Sequence, residues 1–288
     1  MEIIVRRERH TARLNCNFTD GVRVHPPDYS SMPALLPTPA QRLAACQRPA
    51  GHPVMRQRWA GLLFAHWPID PALIAARLPT GLYVDTYQGN GWLGVIPFFM
   101  ERIRPVALPP VPWLSWFHEL NVRTYVHDEL GNPGVWFFSL DCDQPIAVEI
   151  ARRCFHLPYQ HAAMRSQRTA HQITYTSRRK SPGAIDAAYD YQSPENPQPP
   201  AQGSLDWFLV ERYRLYSANP AGQIFSGRVH HAPYQIAPAR CTSCSSEPLS
   251  LNGFAMIQTP PPSLLTAATV DVKIFPLRRH SAGAESKS

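Results

Sequence analysis

With 288 residues, 44% of them hydrophobic and 17% charged, the chain can bury a sizeable core as one large domain or two small ones. Its net charge of +7 sits at the ends: residues 1–58 hold nine Arg against four acids, residues 278–288 three basic residues against one acid, and the stretch between balances 16 against 16. A phosphate-binding footprint would cluster on the folded unit, so nucleic acid is excluded as the expected partner.

Residues 1–54 carry seven prolines and scattered Arg with no sustained period of 2 or 3.6, the composition of a disordered leader. Dense apolar patterning begins at Met55-Arg56-Gln57-Arg58-Trp59, which makes Met55 an alternative initiator and 55–277 a single domain. No apolar run of signal-peptide length opens the chain, and no window approaches 18 consecutive apolar residues. Six cysteines are too few for a disulfide framework in a chain this long, so a cytoplasmic protein with reduced thiols and no membrane partner is expected.

After Trp59 the pattern is strand-like through Trp67. Asp70-Pro71 then supplies an N-cap and a first helical position, which predicts a helix from Pro71 to Leu78. Tyr83 to Tyr87 and Trp92 to Ile103 read as strands around the turn Gln88-Gly89-Asn90-Gly91, and Pro105 to Pro112 as a loop. Glu119 to His127 and Val135 to Cys142 form a hairpin through Gly131-Asn132-Pro133-Gly134. In its second arm Phe137, Ser139 and Asp141 are expected on one face. Ala147 to Phe155 is helical; 170–178, 206–217, 222–231 and 269–275 read as strands, and the tail beyond Arg278 as frayed. The sum is mainly β: an antiparallel, strongly curved or closed barrel-like sheet with two or three short helices, enclosing a cavity.

The strand Glu119-Leu120-Asn121-Val122-Arg123-Thr124-Tyr125-Val126 carries the functional reading. Strict alternation puts Glu119, Asn121, Arg123 and Tyr125 on one face, and an acid, an amide, a guanidinium and a phenol in a row suit a pocket wall. A surface face with one Glu–Arg ion pair is the competing reading of this stretch alone. In the strand predicted over 206–217, Glu211 and Tyr213 share an apolar face. Burial would require Glu211 to find a partner, expected to be Arg123, Arg212 or Arg228.

Other motifs fall short. Cys241-Thr242-Ser243-Cys244 lacks the second pair that structural zinc needs and reads as incidental loop cysteines. The histidines show no HxxxH or HExxH spacing, so no metal is expected. No GxGxxG leads from a strand into a helix, no GxxxxGK[ST] or GxSxG is present, and no cofactor is expected.

Several blocks together resemble the uncharacterised bacterial YqjF-like family: Gln57-Arg58-Trp59, Leu78-Pro79-Thr80-Gly81-Leu82, Phe117 to Val126, Phe137-Phe138-Ser139-Leu140-Asp141, Leu157-Pro158-Tyr159 and Glu211-Arg212-Tyr213. The resemblance runs from about Met55 to about Phe275. It implies the acetoacetate decarboxylase-like fold, in which a lysine after a Gly-aromatic-Pro element forms a Schiff base. Here the best match is His156-Leu157-Pro158-Tyr159-Gln160, with Tyr159 at the nucleophile's place, and the chain's lysines are only Lys180, Lys273 and Lys287. The resemblance therefore implies fold and pocket location without lysine chemistry. Two functional readings stand. One is an acid–base enzyme on a small carbonyl or carboxylate compound, with Arg123 clamping the anion, Glu119 as base, Tyr159 as proton donor, and Asn121, Tyr125, Ser139, Asp141, Glu211 and Tyr213 around the ligand. The other is a non-catalytic binding or sequestering protein for a small ligand, aromatic ones included. Exposed edge strands add self-association to the expected partners.

Overall fold

The computed structural model describes residues 34–280. In chain order they form α1 (Pro39–Cys46), β1 (Met55–Ala60), β2 (Leu62–Ile69), α2 (Pro71–Ala75), β3 (Tyr83–Val84), β4 (Gly91–Pro105), β5 (Phe117–His127) and β6 (Pro133–Cys142). There follow α3 (Pro145–Phe155), β7 (Tyr159–Arg168), β8 (Gln172–Arg179), β9 (Ala187–Gln192), α4 (Leu205–Val210), β10 (Arg214–Ala218) and β11 (Ile224–His230). The last elements are β12 (Ile236–Pro238), β13 (Cys241–Cys244), α5 (Glu247–Ser250), β14 (Ser263–Ala267), β15 (Val270–Ile274) and β16 (Arg278–Arg279).

Seven strands close a hydrogen-bonded ring in the order β4, β1, β15, β11, β10, β6, β5 and back to β4. All its contacts are antiparallel except β10 on β6, which is parallel and only two residue pairs long. Beyond the ring, β2 and β14 extend from β4, while β7 leaves β6 after three parallel pairs and leads into a second sheet of β7, β8, β9 and β13. Alternation then divides the apolar residues into two cores. Ile96, Phe98, Tyr125, Val135, Tyr213, Val229 and Val272 form one core on the inner side of the ring. Leu63, Val95, Leu120, Val122, Tyr175, Tyr189 and Tyr191 pack its outer face against the second sheet. Each fully buried side chain of this size contributes about 1.5–3 kcal/mol, so both layers are needed to hold the long strands β4 and β5. No helix among the described residues is long and apolar enough to cross a membrane.

Four expectations need correction. The leader is not structureless from residue 34 on: Thr38 and Gln41 form a capping box, α1 follows, and Arg42 binds Asp85 through two hydrogen bonds of 2.5 and 2.7 Å. Residues 1–33, which carry the rest of that expectation, lie outside the described residues. At the other end Arg278 and Arg279 pair with β11, and His280 N–H donates to Ile224 O at 2.8 Å; residues 281–288 lie outside the description. Residues 206–217 are not one strand. Ser204 accepts the Trp207 N–H, helix α4 runs to Val210, and β10 starts only at Arg214. Trp207, Phe208, Leu209 and Val210 form an unbroken apolar run, which carries no period to separate helix from strand. Finally, Cys241 to Cys244 is a strand paired with β9 rather than a loop, and both cysteines are free thiols.

Candidate functional site

β5 keeps its alternation because its pairing with β4 is unbroken from Leu93↔Thr124 to Met100↔Phe117. Glu119, Asn121, Arg123 and Tyr125 therefore all point into the ring. Tyr159 joins them because β7 enters beside β6 with Tyr159 opposite Leu140, itself opposite Asn121. The Tyr159 hydroxyl donates to Glu119 Oε2 at 2.5 Å. Both residues are buried under α3, whose Val148 and Ala151 pack with Leu140, Cys142 and Tyr159.

Burial dominates the electrostatics of this pair. It raises the Glu119 carboxyl to about 7, against the pull of the Tyr159 and Asn121 hydrogen bonds. Burial, together with the Glu119 charge, also pushes the Tyr159 hydroxyl well above its ordinary value, so Tyr159 stays a neutral donor. Near neutral pH Glu119 thus exchanges readily between carboxylate and carboxylic acid.

Arg123 lies four residues further along the strand, roughly 13 Å from Glu119 by the rise of about 3.3 Å per residue. It makes no ion pair with Glu119. Its Nη2 donates to Leu209 O at 3.0 Å, and its guanidinium sits 5.5 Å from the Phe64 ring and 5.6 Å from the Tyr125 ring. Tyr125 is fixed by its hydroxyl, which donates to Leu209 O at 2.8 Å and lies 2.7 Å from His66 Nε2. Burial, reinforced by the Arg123 charge, holds His66 well below its ordinary pKa, so the imidazole is neutral. Arg123 Nε, Asn121 Oδ1 and His231 Nε2 are buried without a hydrogen-bond partner among the described residues. Orphaned polar atoms on β5 and just beyond β11 are what a polar ligand would satisfy.

Glu211 and Tyr213 meet, but not through strand alternation. Glu211 caps the end of α4, and its carboxylate accepts the Tyr213 hydroxyl and, at 2.8 Å, the Tyr234 N–H. No arginine bonds it among the described residues, which overturns the expected ion pair: Arg212 turns instead to Asp85 at 2.7 Å and Arg123 to Leu209 O. Burial raises the Glu211 carboxyl, and these two donors oppose the rise. His231 stacks on Tyr213 at 4.5 Å and is lowered to about 4, chiefly by burial.

Ser139 and Asp141 leave the group altogether. Val122 pairs with Ser139 but Arg123 with Phe137, so Phe138 is an extra residue in β6 and the strand changes face there. Ser139 and Asp141 consequently share the outer face with Val122 and Leu120, where Arg179 of β8 binds both, its Nε 2.6 Å from Asp141 Oδ1. A one-residue bulge leaves no mark in the apolar–polar pattern of Phe137-Phe138-Ser139-Leu140, so the expected pocket role of these two residues is overturned by geometry alone. His66, His231 and Tyr234 are the interior polar residues that sequence reasoning missed. Only the alternation Leu62, Phe64, His66 hinted at one of them.

A surface cleft of about 500 Å³ opens along the β6–β10 seam, lined by Phe137, Leu157, Pro158 and Tyr216 among others. It reaches Phe137, the cross-strand partner of Arg123, and Pro158, the neighbour of Tyr159. Among the described residues no lysine points into the ring: Lys180 is exposed beyond β8, and Lys273 lines an outer cavity with Arg56 and Arg102. No group of three His, Cys, Asp or Glu side chains among them could hold a metal ion.

Residues 56–271 match the DUF2071 family profile, described as an uncharacterized conserved protein. The chain belongs to this family. It is 37% identical over 233 residues to the uncharacterized protein YqjF of Bacillus subtilis (strain 168), covering 81% of this chain and 95% of that one. Among solved structures it is similar to acetoacetate decarboxylase from Legionella pneumophila, with TM-score 0.55, 13% identity and coverage of 93% and 98%. It is similar also to the enduracididine biosynthesis enzyme MppR complexed with pyruvate, with TM-score 0.54, 12% identity and coverage of 80% and 91%. At these identities the likeness establishes the acetoacetate decarboxylase-like fold.

Proposed function

We propose that the ring interior is a small-molecule site that performs acid–base chemistry on a small oxo-carboxylate, without a Schiff base, in the cytoplasm. The observation that carries this reading is the buried Glu119–Tyr159 pair, a carboxyl raised to about 7 bonded to a phenol that stays protonated. A group with that pKa takes and returns a proton near neutral pH, as enolisation beside a carbonyl requires. Arg123 offers its orphaned Nε to the far carboxylate of a longer oxo acid that reaches along the strand, and Asn121 Oδ1 accepts a hydroxyl or enol proton between it and Glu119. Tyr125, Glu211 and Tyr213 shape the wall around them. The pyruvate bound to MppR supports the choice of substrate class. The five described cysteines, all free, suit a reducing compartment, and the edge strands suit a homo-oligomer.

The test is hydrogen–deuterium exchange of the pyruvate methyl group in D₂O, followed by proton NMR. Wild-type protein should accelerate exchange, Glu119→Gln should lose at least about 100-fold of that acceleration while keeping pyruvate affinity, and Arg123→Ala should lose affinity for longer oxo dicarboxylates. If no 2- or 3-oxo acid exchanges protons yet such ligands still raise the melting temperature through Arg123, the site sequesters its ligand and the enzyme reading fails.

A further inference from the structure

Three side chains that the interior site does not use meet outside the ring. His118, the neighbour of Glu119 on β5, turns to the opposite face. Its Nδ1 lies 2.6 Å from Asp143 Oδ2 and its Nε2 lies 2.8 Å from Ser166 Oγ. Asp143 Oδ1 accepts the backbone N–H of His118 at 2.9 Å, so the carboxylate grips both the ring and the strand that bears it. We propose that Ser166, His118 and Asp143 form a second, surface-accessible site, in which Ser166 is a nucleophile toward carboxylic esters.

The order of contacts is that of an activated serine: nucleophile to base, base to an orienting acid. With its proton on Nδ1 facing Asp143, the imidazole leaves Nε2 to accept from the Ser166 hydroxyl. The His118 and Asp143 side chains are 22% and 25% exposed and Ser166 is half-buried, so a substrate can reach them. Phe99 and Tyr175 flank the imidazole with ring centroids 5.4 Å away. Tyr175 is locked by its hydroxyl bonds to Phe98 O and Glu119 O, whereas the half-buried Phe99 offers a wall for an apolar or aryl acyl group. Arg168, held by Glu101 at 2.9 Å, backs the Phe99 ring at 4.9 Å.

The backbone supplies an oxyanion donor. Odd-numbered residues of β7 carry its bonds to β8, as Lys180 N–H to His161 O and Thr169 N–H to Gln172 O mark at the two ends. The Ser166 N–H is therefore directed to the other edge, which β6 accompanies only as far as His161. In the reaction Ser166 Oγ bonds to the ester carbonyl carbon while its proton passes to His118 Nε2. Collapse of the adduct breaks the bond to the leaving alkoxide, which takes that proton and departs as the alcohol. Water then attacks the acyl-serine, giving its proton to His118 and releasing the acid. Ser166 recovers its proton and Asp143 stays ionised throughout. No GxSxG marks the site because Ser166 sits on a strand, and its partners lie 23 and 48 residues earlier in the chain.

The full chain incubated with a fluorophosphonate should be labelled at Ser166, as mapped by peptide mass spectrometry. Release of p-nitrophenol from p-nitrophenyl acetate should fall at least about 100-fold in Ser166→Ala and in His118→Gln, and at least about tenfold in Asp143→Asn. Labelling of the wild-type chain decides the matter even if His118→Gln fails to fold. An unlabelled Ser166 in a protein with native melting behaviour, or undiminished hydrolysis in Ser166→Ala, would reduce the three residues to a tie between β5, the turn before α3, and β7, and overturn the proposal.

Discussion

Glu119 is expensive to keep ionised where it stands, and that makes stability depend on pH. Burial raises its carboxyl to about 7 from an ordinary 4.5, so between these values the folded protein holds a proton that the unfolded chain has released. The contribution to stability is therefore fully present below about 4.5 and is lost as pH rises through 7. A shift of that size corresponds to roughly 3 kcal/mol. Urea unfolding at pH 5 and pH 8 should show wild-type protein losing about that much at the higher pH, and Glu119→Gln losing little of it; equal losses in both would mean that Glu119 is solvated. Tyr159→Phe removes the donor that stabilises the carboxylate and should cost about 1–3 kcal/mol, more at pH 8 than at pH 5. The sequence exposed these two residues for different reasons, Glu119 through alternation and Tyr159 through the family resemblance. It could not expose His231 or Tyr234, whose interior placement depends on the path of β11 and the loop beyond it.

Among the elements, α1 depends on one buried ion. Asp85 is 2% exposed and accepts from both Arg42 of α1 and Arg212. Burial alone would raise its carboxyl, but the two guanidinium groups hold it below its ordinary value. The pair is asymmetric: Arg42 reaches Asp85 from a partly exposed helix, whereas Arg212 is 4% exposed and stacks over Phe208 at 4.2 Å. Asp85→Ala strands Arg212 without its counter-charge and should cost about 3–5 kcal/mol, while Arg42→Ala leaves the Arg212 bond intact and should cost about 1 kcal/mol. Thermal melts of the two variants would separate them, and similar losses would place the energy in α1 docking instead. Element reading from sequence found the short helix α2 through its Asp70-Pro71 cap but failed at α1, α4 and the bulge. α1 hides in proline-rich sequence, α4 in an apolar run, and the face change at Phe138 in a stretch that is aromatic on both sides. It succeeded where a long apolar run lay between turns, as in β4, and where alternation was sustained, as in β5.

The ring closes through two short joints, β10 on β6 and β11 on β15, each two residue pairs long. The molecule's mainly β architecture was readable because long alternating runs separated by turn residues leave few alternatives, but ring closure was not, since a parallel contact between β6 and β10 depends on residues 80 apart that share no pattern. That contact is two residue pairs long, whereas β4 and β5 share eight. Gly134 lies where β6 comes closest to β10: a Cβ there would stand 2.7 Å from the Tyr216 ring and 2.9 Å from Arg214 O. The ring can turn aside, but the carbonyl belongs to the β10 backbone and cannot move without opening the seam. Gly134→Ala should therefore cost about 1–3 kcal/mol through overpacking. Amide hydrogen exchange should quicken at Leu215 and Tyr216 while Val122 and Val95, in the β4–β5 pairing, keep their protection. Uniformly faster exchange would mean that the seam and the rest of the ring open together. Selective quickening would identify the seam, and the cleft along it, as the place where the interior communicates with solvent.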